Sequence, residues 1–117
     1  MQLYEWSKIE KEQLNPQFVR QVIHADQMTI GRIYLAKGCL VPEHSHPNEQ
    51  LTVMEKGSLD FVVGGEKVTV KAGEVLRIPS NVKHSALATE DSVSIDIFSG
   101  VREDWKYGTD SYLRPVK

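Results

Sequence analysis

His44, His46 and His84, together with Gln50, are the residues of this 117-residue chain whose types and spacing could hold a metal ion. Imidazole nitrogens and an amide oxygen suit a divalent cation of borderline softness, and nickel, zinc, manganese and iron are all compatible with such a set. The stretch from Gly38 to Gly57, GCLVPEHSHPNEQLTVMEKG, carries the H-x-H pair and the glutamine. On an extended strand side chains repeat every two residues, so His44 and His46 would share a face and converge on one ion. Gln50, four residues past His46, offers a carbonyl oxygen, and His84 in IPSNVKHSA closes a set of three nitrogens and one oxygen. The competing reading is a hydrogen-bonded polar interior without metal. Glu49 is an alternative carboxylate, but on a strand it would face away from Gln50 and so be exposed or only support the ligands.

The composition narrows what such a site could serve. A net charge of −2 and a pI near 6.1 give no basic excess for nucleic acid or an anionic membrane surface. No apolar run approaches the roughly 20 residues of a spanning helix, and MQLYEWSKIEKEQ lacks the layout of a signal peptide, so a cytoplasmic protein is expected. Cys39 is the only cysteine, which excludes an internal disulfide and a multi-thiolate zinc site; it reads as a small buried hydrophobe. The length suits a single domain, 1–117, able to bury a core without metal or disulfides.

The elements that must position the ligands read as short strands. Residues 1–16 carry Leu3, Trp6, Ile9 and Leu14 at a loose helical spacing ended by Pro16, an arm with a short helix. FVRQVIHA and MTIGRIYLA follow as an antiparallel pair around Ala25-Asp26-Gln27. Gly38 and Pro42 punctuate the approach to the histidines, and QLTVME alternates as a half-buried strand. SLDFVV, Gly64-Gly65 and EKVTV form a hairpin, because paired glycines accept the positive φ of a tight turn. GEVLRIP, HSALA and SVSIDIF supply further strands before the polar tail 99–117. Many short strands argue an all-β sandwich or barrel, and a closed barrel would leave no edges to protect. His24 matches no motif and reads as a surface or hydrogen-bonded residue, while Glu43 reads as a solvated rim charge.

The run Gly38, His44, His46, Gln50, Gly57 resembles the first cupin motif, and Gly73, Pro79 and His84 resemble the second. The resemblance covers about residues 30–98. Gln50 stands where the family usually has Glu, Asn81 where it more often has Gly, and Ala88 where it often has Asn. It implies a cupin barrel, a double-stranded β-helix or jelly roll, with the short N-terminal arm outside it and one divalent metal held by His44, His46, Gln50 and His84. An amide in place of a carboxylate leaves the site one negative charge short, which makes a bound ion a stronger Lewis acid. Small cupins of this kind also imply a homodimer.

The combination of HSHPNEQ with DIFSGVREDW is similar to small single-domain cupins of the KdgF type, found in pectin and alginate breakdown. That resemblance implies that Asp96, Phe98 and Arg102 line the pocket beside the metal. Its implied activity is non-redox linearisation of 4,5-unsaturated monouronates to the open-chain 4-deoxy-5-keto uronate, with Asp96 moving protons, Arg102 holding the carboxylate and Phe98 shaping the wall. The family tends to have prolines where this chain has Ser99-Gly100-Val101. Alternation puts Asp96 and Phe98 on one face of their strand and Ile95 and Ile97 on the other, without fixing which face is inside. Arg102 has a second reading as a surface charge paired with Glu103 or Asp104. Trp105, Tyr107 and Tyr112 read as packing the tail against the barrel or a second subunit, or as flanking a sugar. The rival functions are another cupin metalloenzyme, a dioxygenase or sugar isomerase, and a non-catalytic module that binds a small acid or sugar.

Overall fold

The computed structural model describes residues 1–114, so the last three residues of the predicted tail, 115–117, lie outside the described residues. Ten strands form two antiparallel sheets packed face to face, the flattened jelly roll expected. In chain order they are β1 (Glu12–Asn15), β2 (Phe18–His24), β3 (Met28–Leu35), β4 (Leu40–His44), β5 (Gln50–Lys56), β6 (Ser58–Val63), β7 (Glu66–Lys71), β8 (Val75–Ile78), β9 (His84–Ala88) and β10 (Ser92–Ser99). One sheet runs β1-β2-β3-β10-β5-β8 and the other β4-β9-β6-β7. Each sheet ends on strands with a single hydrogen-bonded neighbour, so the edges a closed barrel would remove are present.

The inner faces alternate as a sandwich requires, with Phe18, Ile33, Met54, Phe61, Ile78 and Phe98 among the buried residues between the sheets. The long β10 lies between β3 and β5. Ser94 and Phe98 point inward and are buried, whereas Val93, Ile95 and Ile97 are half-buried on the outer face. That decides the orientation left open by alternation: Asp96 faces the interior. The Gly64-Gly65 turn joins β6 to β7 with φ of 55° and 84°, the positive pair a two-residue hairpin needs.

Three expectations change. The arm 1–16 contains only one 3₁₀ turn, Trp6–Lys8, with no buried residue. It is held on the sheet by Gln21, whose amide donates to the carbonyls of Trp6 and Ile9 at 2.7 and 2.8 Å. The rest of the arm forms β1, which pairs with the open edge of β2 and buries Leu14, so an edge in need of a partner outweighs a weak helical spacing. The extended strand expected for the whole H-x-H pair is only partly present: Leu40–His44 is the edge strand β4, ending at the first histidine, and Pro42 is tolerated in it because one side needs no ladder bond.

The tail differs most. Glu103–Tyr107 forms a short helix, α1, and Ser111–Leu113 a 3₁₀ turn, and Trp105, Asp110 and Leu113 are buried. Trp105 seats over Gly31 of β3, where an added Cβ would come within 2.9 Å of the indole ring. The tail is therefore packed across one end of the sandwich, beside the ends of the strands that carry the histidines.

Candidate metal centre

The site forms where the two sheets meet. His44 ends β4 and His84 begins β9, and these two residues are direct cross-strand partners, bringing the ring centroids to 4.3 Å. Gln50 opens β5 in the other sheet, paired with Phe98 of β10 on one side and Ile78 of β8 on the other. His46 lies past the end of β4, so the H-x-H pair does not share one extended strand. Its ring converges because the loop is pinned: the amide of Asn81 donates to the His46 carbonyl at 2.8 Å, and the Asn48 side chain donates to the Ser99 carbonyl at 2.8 Å. Asn81 sits at φ 63°, left-handed backbone that asparagine tolerates better than most side chains.

The ligand-capable atoms of His44, His46 and His84 lie within 4.8 Å of one another, so the three rings could hold one metal ion. Their tautomers follow from their partners. Each Nδ1 is 2.8 or 2.9 Å from a backbone carbonyl, that of Pro42 for His44, Asn48 for His46 and Val82 for His84. A carbonyl only accepts, so each ring donates Nδ1–H and keeps its lone pair on Nε2. His84 Nε2 is buried without a hydrogen-bond partner among the described residues. His46 Nε2 lies 3.1 Å from Gln50 Oε1, a lone pair facing a carbonyl oxygen, and the amide is turned that way as its Nε2 donates to Thr52 Oγ1 at 2.8 Å. A shared cation relieves both the orphaned nitrogen and the opposed acceptors, so these residues fit a divalent metal.

Protonation does not compete. Burial pushes His44 down to about 4, helped by His84, His46 and Arg102, and pushes His46 down to about 4, helped by Arg102 and His84. Burial lowers His84 as well. Near neutral pH all three rings are uncharged ligands. Glu49, the alternative carboxylate, is turned outward in an exposed ion pair with Arg77 at 2.7 Å.

Beside the histidines is a cavity of about 50 Å³ whose lining includes His44, Gln50, His84, Asp96, Phe98, Arg102 and Tyr112. Asp96 stands opposite Thr52 across the β10–β5 pair, and its Oδ1 is buried with no hydrogen-bond partner among the described residues. Burial raises its carboxyl to about 6, although the Thr52 hydroxyl, Arg102 and Ser94 pull the other way. A carboxyl in that range exchanges a proton readily near neutrality. Phe98 is an edge-to-face wall against His46, centroids 5.5 Å apart, and against Trp105, 4.9 Å apart.

Arg102 is paired as its surface reading expects, but it is buried. It pairs with Asp104, as a surface charge would, through Nε at 2.8 Å and Nη2 at 2.7 Å, yet its own side chain is only 1% exposed. The guanidinium lies over Phe98 and Trp105, 4.7 and 4.4 Å from the ring centroids. Burial works against its charge, but Asp104 and Tyr112 more than offset it and hold the group ionised. Nη2 also donates to the Tyr112 hydroxyl at 2.7 Å, and Nη1 has no acceptor among the described residues.

Tyr112 is the residue at this site that sequence left undecided. Its ring stacks on His44, centroids 4.1 Å apart and planes 15° apart. Only its aromatic character beside Trp105 hinted at this, because no period places a tail residue over a ligand. Tyr107, in contrast, is exposed. Asp104 and Thr52, which orient Arg102 and Gln50, carried no motif of their own. His24 accepts the bland reading, with Nδ1 2.8 Å from the Thr29 hydroxyl.

A cupin domain family model matches residues 31–98. The chain is 31% identical over 97 residues to the pectin degradation protein KdgF of Dickeya dadantii (strain 3937), covering 80% of this chain and 88% of that protein. Among solved structures it is similar to an RmlC-like cupin from Shewanella frigidimarina NCIMB 400, with a TM-score of 0.84 at 24% identity over 90% of this chain and 96% of the other. It is equally similar in fold to KdgF from Halomonas sp., with a TM-score of 0.84 at 23% identity over 90% and 98% of the two chains.

Proposed function

The chain belongs to the cupin family, and on that premise we propose that it is a metal-dependent enzyme that opens 4,5-unsaturated monouronates to the open-chain 4-deoxy-5-keto uronate. The observation that carries this reading is one cavity lined by two histidines of the three-histidine cluster, a carboxyl of raised pKa and a buried arginine. The likeness to a protein named for pectin degradation supports the substrate class.

A divalent ion held by His44, His46, His84 and Gln50, whether nickel, zinc, manganese or iron, would supply Lewis-acid stabilisation of negative charge developing on oxygen. The chain's own residues do the rest. Asp96, in its ionised form, takes the proton of the C1 hydroxyl as the bond from C1 to the ring oxygen breaks. That leaves an aldehyde at C1 and an enolate at C5. Asp96 then returns the proton to C4, and C5 becomes the ketone, so no atom or electron is gained or lost. Arg102 holds the substrate carboxylate, and Phe98 closes the wall behind it. The carboxyl pKa near 6 lets one group act in both directions. A homodimer and a cytoplasmic location belong to the same reading.

Ring opening and ketonisation remove the conjugated C4=C5 bond. The test is therefore the ultraviolet absorbance of an unsaturated monouronate on adding metal-loaded protein, followed with an oxygen electrode. Loss of absorbance with no oxygen consumed supports the reading. Unchanged absorbance in both wild type and Asp96→Ala ends it, and oxygen uptake transfers the chain to the dioxygenase class.

A further inference from the structure

The C-terminal turn leaves two hydrogen-bond donors idle beside the cavity. The Tyr112 oxygen already accepts from Arg102 Nη2 at 2.7 Å and from Trp105 Nε1 at 3.4 Å, which uses both of its lone pairs. Its own O–H proton has no acceptor among the described residues. Arg102 Nη1 is in the same condition, because Asp104 and Tyr112 engage only Nε and Nη2. Nη1 and Nη2 share one guanidinium carbon, so the two idle donors lie within the span of a single carboxylate.

We propose that Tyr112 is a substrate-contacting residue, and that its hydroxyl and Arg102 Nη1 together form the pocket for the substrate's carboxylate. This deepens the reading above and rests on it for the substrate being a sugar acid. Two convergent donors, one on a cation, match the paired oxygens of a carboxylate and leave a neutral ester one charge short. The phenol is fixed rather than free: its ring is stacked on His44, and Leu113 next to it is buried in the core. Tyr112 and Arg102 line the same cavity as Asp96, so a carboxylate held between them stays beside the group that moves the proton.

The experiment compares metal-loaded wild type with Tyr112→Phe, which keeps the ring stack and removes only the hydroxyl. Calorimetric titrations with galacturonate and with its methyl ester report the carboxylate separately from the ring. Wild type is expected to favour the acid, and Tyr112→Phe to lose about tenfold in affinity for the acid with the ester unchanged, as suits one hydrogen bond to a charged group. With wild type alone, adding the acid but not the ester should shift the tyrosine absorption, a measurement that stands if the variant does not fold. Equal weakening of acid and ester, an unchanged acid affinity, or no tyrosine shift overturns the proposal. The two readings separate cleanly. Wild type that discriminates acid from ester but leaves unsaturated uronates untouched keeps the carboxylate pocket and removes the reaction. Turnover with the same KM in Tyr112→Phe keeps the reaction and removes the role of Tyr112.

Discussion

Arg20 on β2 and Asp110 in the C-terminal segment form an ion pair of 2.7 Å in which both side chains are sealed from solvent. Asp110 accepts a second bond from Arg114 at 2.9 Å, and Trp105 lies against Arg20, 4.6 Å from the ring centroid. Removing one partner of a buried pair strands the other. Asp110→Ala should therefore cost about 3–5 kcal/mol of stability in urea unfolding. Arg20 Nη2 has no partner among the described residues even now, so the double variant Arg20→Met with Asp110→Leu should recover most of that loss. A loss below about 1 kcal/mol in the single variant would contradict the pair's anchoring role.

Asp96 should trade stability for activity. Its folded pKa of about 6 lies above the ordinary 3.8, so the folded state disfavours the ionised form. The resulting penalty is complete above pH 6 and disappears as pH falls below 4. In chelator-treated protein at pH 7, Asp96→Asn should be more stable than wild type by up to about 3 kcal/mol, and the difference should shrink as pH drops from 6 to 4. The same variant should lose about a hundredfold or more in turnover, the scale of a lost proton-transfer group. A destabilised Asp96→Asn would argue that the carboxyl is structural.

Metal retention should outlast the usual histidine range. His44 and His46 titrate at about 4 because burial disfavours the charged rings, so protons begin to compete for them only well below 6.5. Dialysis at stepped pH followed by metal analysis should find the ion held to about pH 5 and released toward pH 4. Half-release above pH 6 would contradict a buried, preformed ligand set. His84→Ala should lower metal affinity at every pH in the same assay.

Arg102→Lys keeps the charge and loses the planar fork that serves Asp104 and Tyr112 together. It should raise KM for a uronate by about tenfold or more, with a smaller change in kcat. Steady-state kinetics on the metal-loaded variant checks this, and an unchanged KM would return Arg102 to a purely structural part.

Most strands and the three-histidine cluster were legible because their causes are local. Gly64-Gly65 announces its own turn, and the alternation of QLTVME follows from a strand with one face buried. Gln50 and His84 could be named because their positions follow a motif. The facing of Asp96 could not, since alternation gives two faces and only the packing of β10 between β3 and β5 selects one. β1 was missed because EQLN has little strand character of its own and pairs only because β2 offers an edge. The tail was read as polar since its burial comes from charges that neutralise one another: Asp110 with Arg20, and Asp104 with Arg102. Such pairs look like surface residues until both members are placed.

The three imidazoles are each braced by a main-chain oxygen two positions away: that of Pro42, Asn48 or Val82. Much of their aim is thus inherited from the route of the backbone, which fixes the same ring nitrogen of each. Asp96, which bonds to none of the three rings, can be exchanged without removing any of these braces. Evolution, or an engineer, can therefore alter that part of the cavity wall while the backbone keeps the three rings gathered.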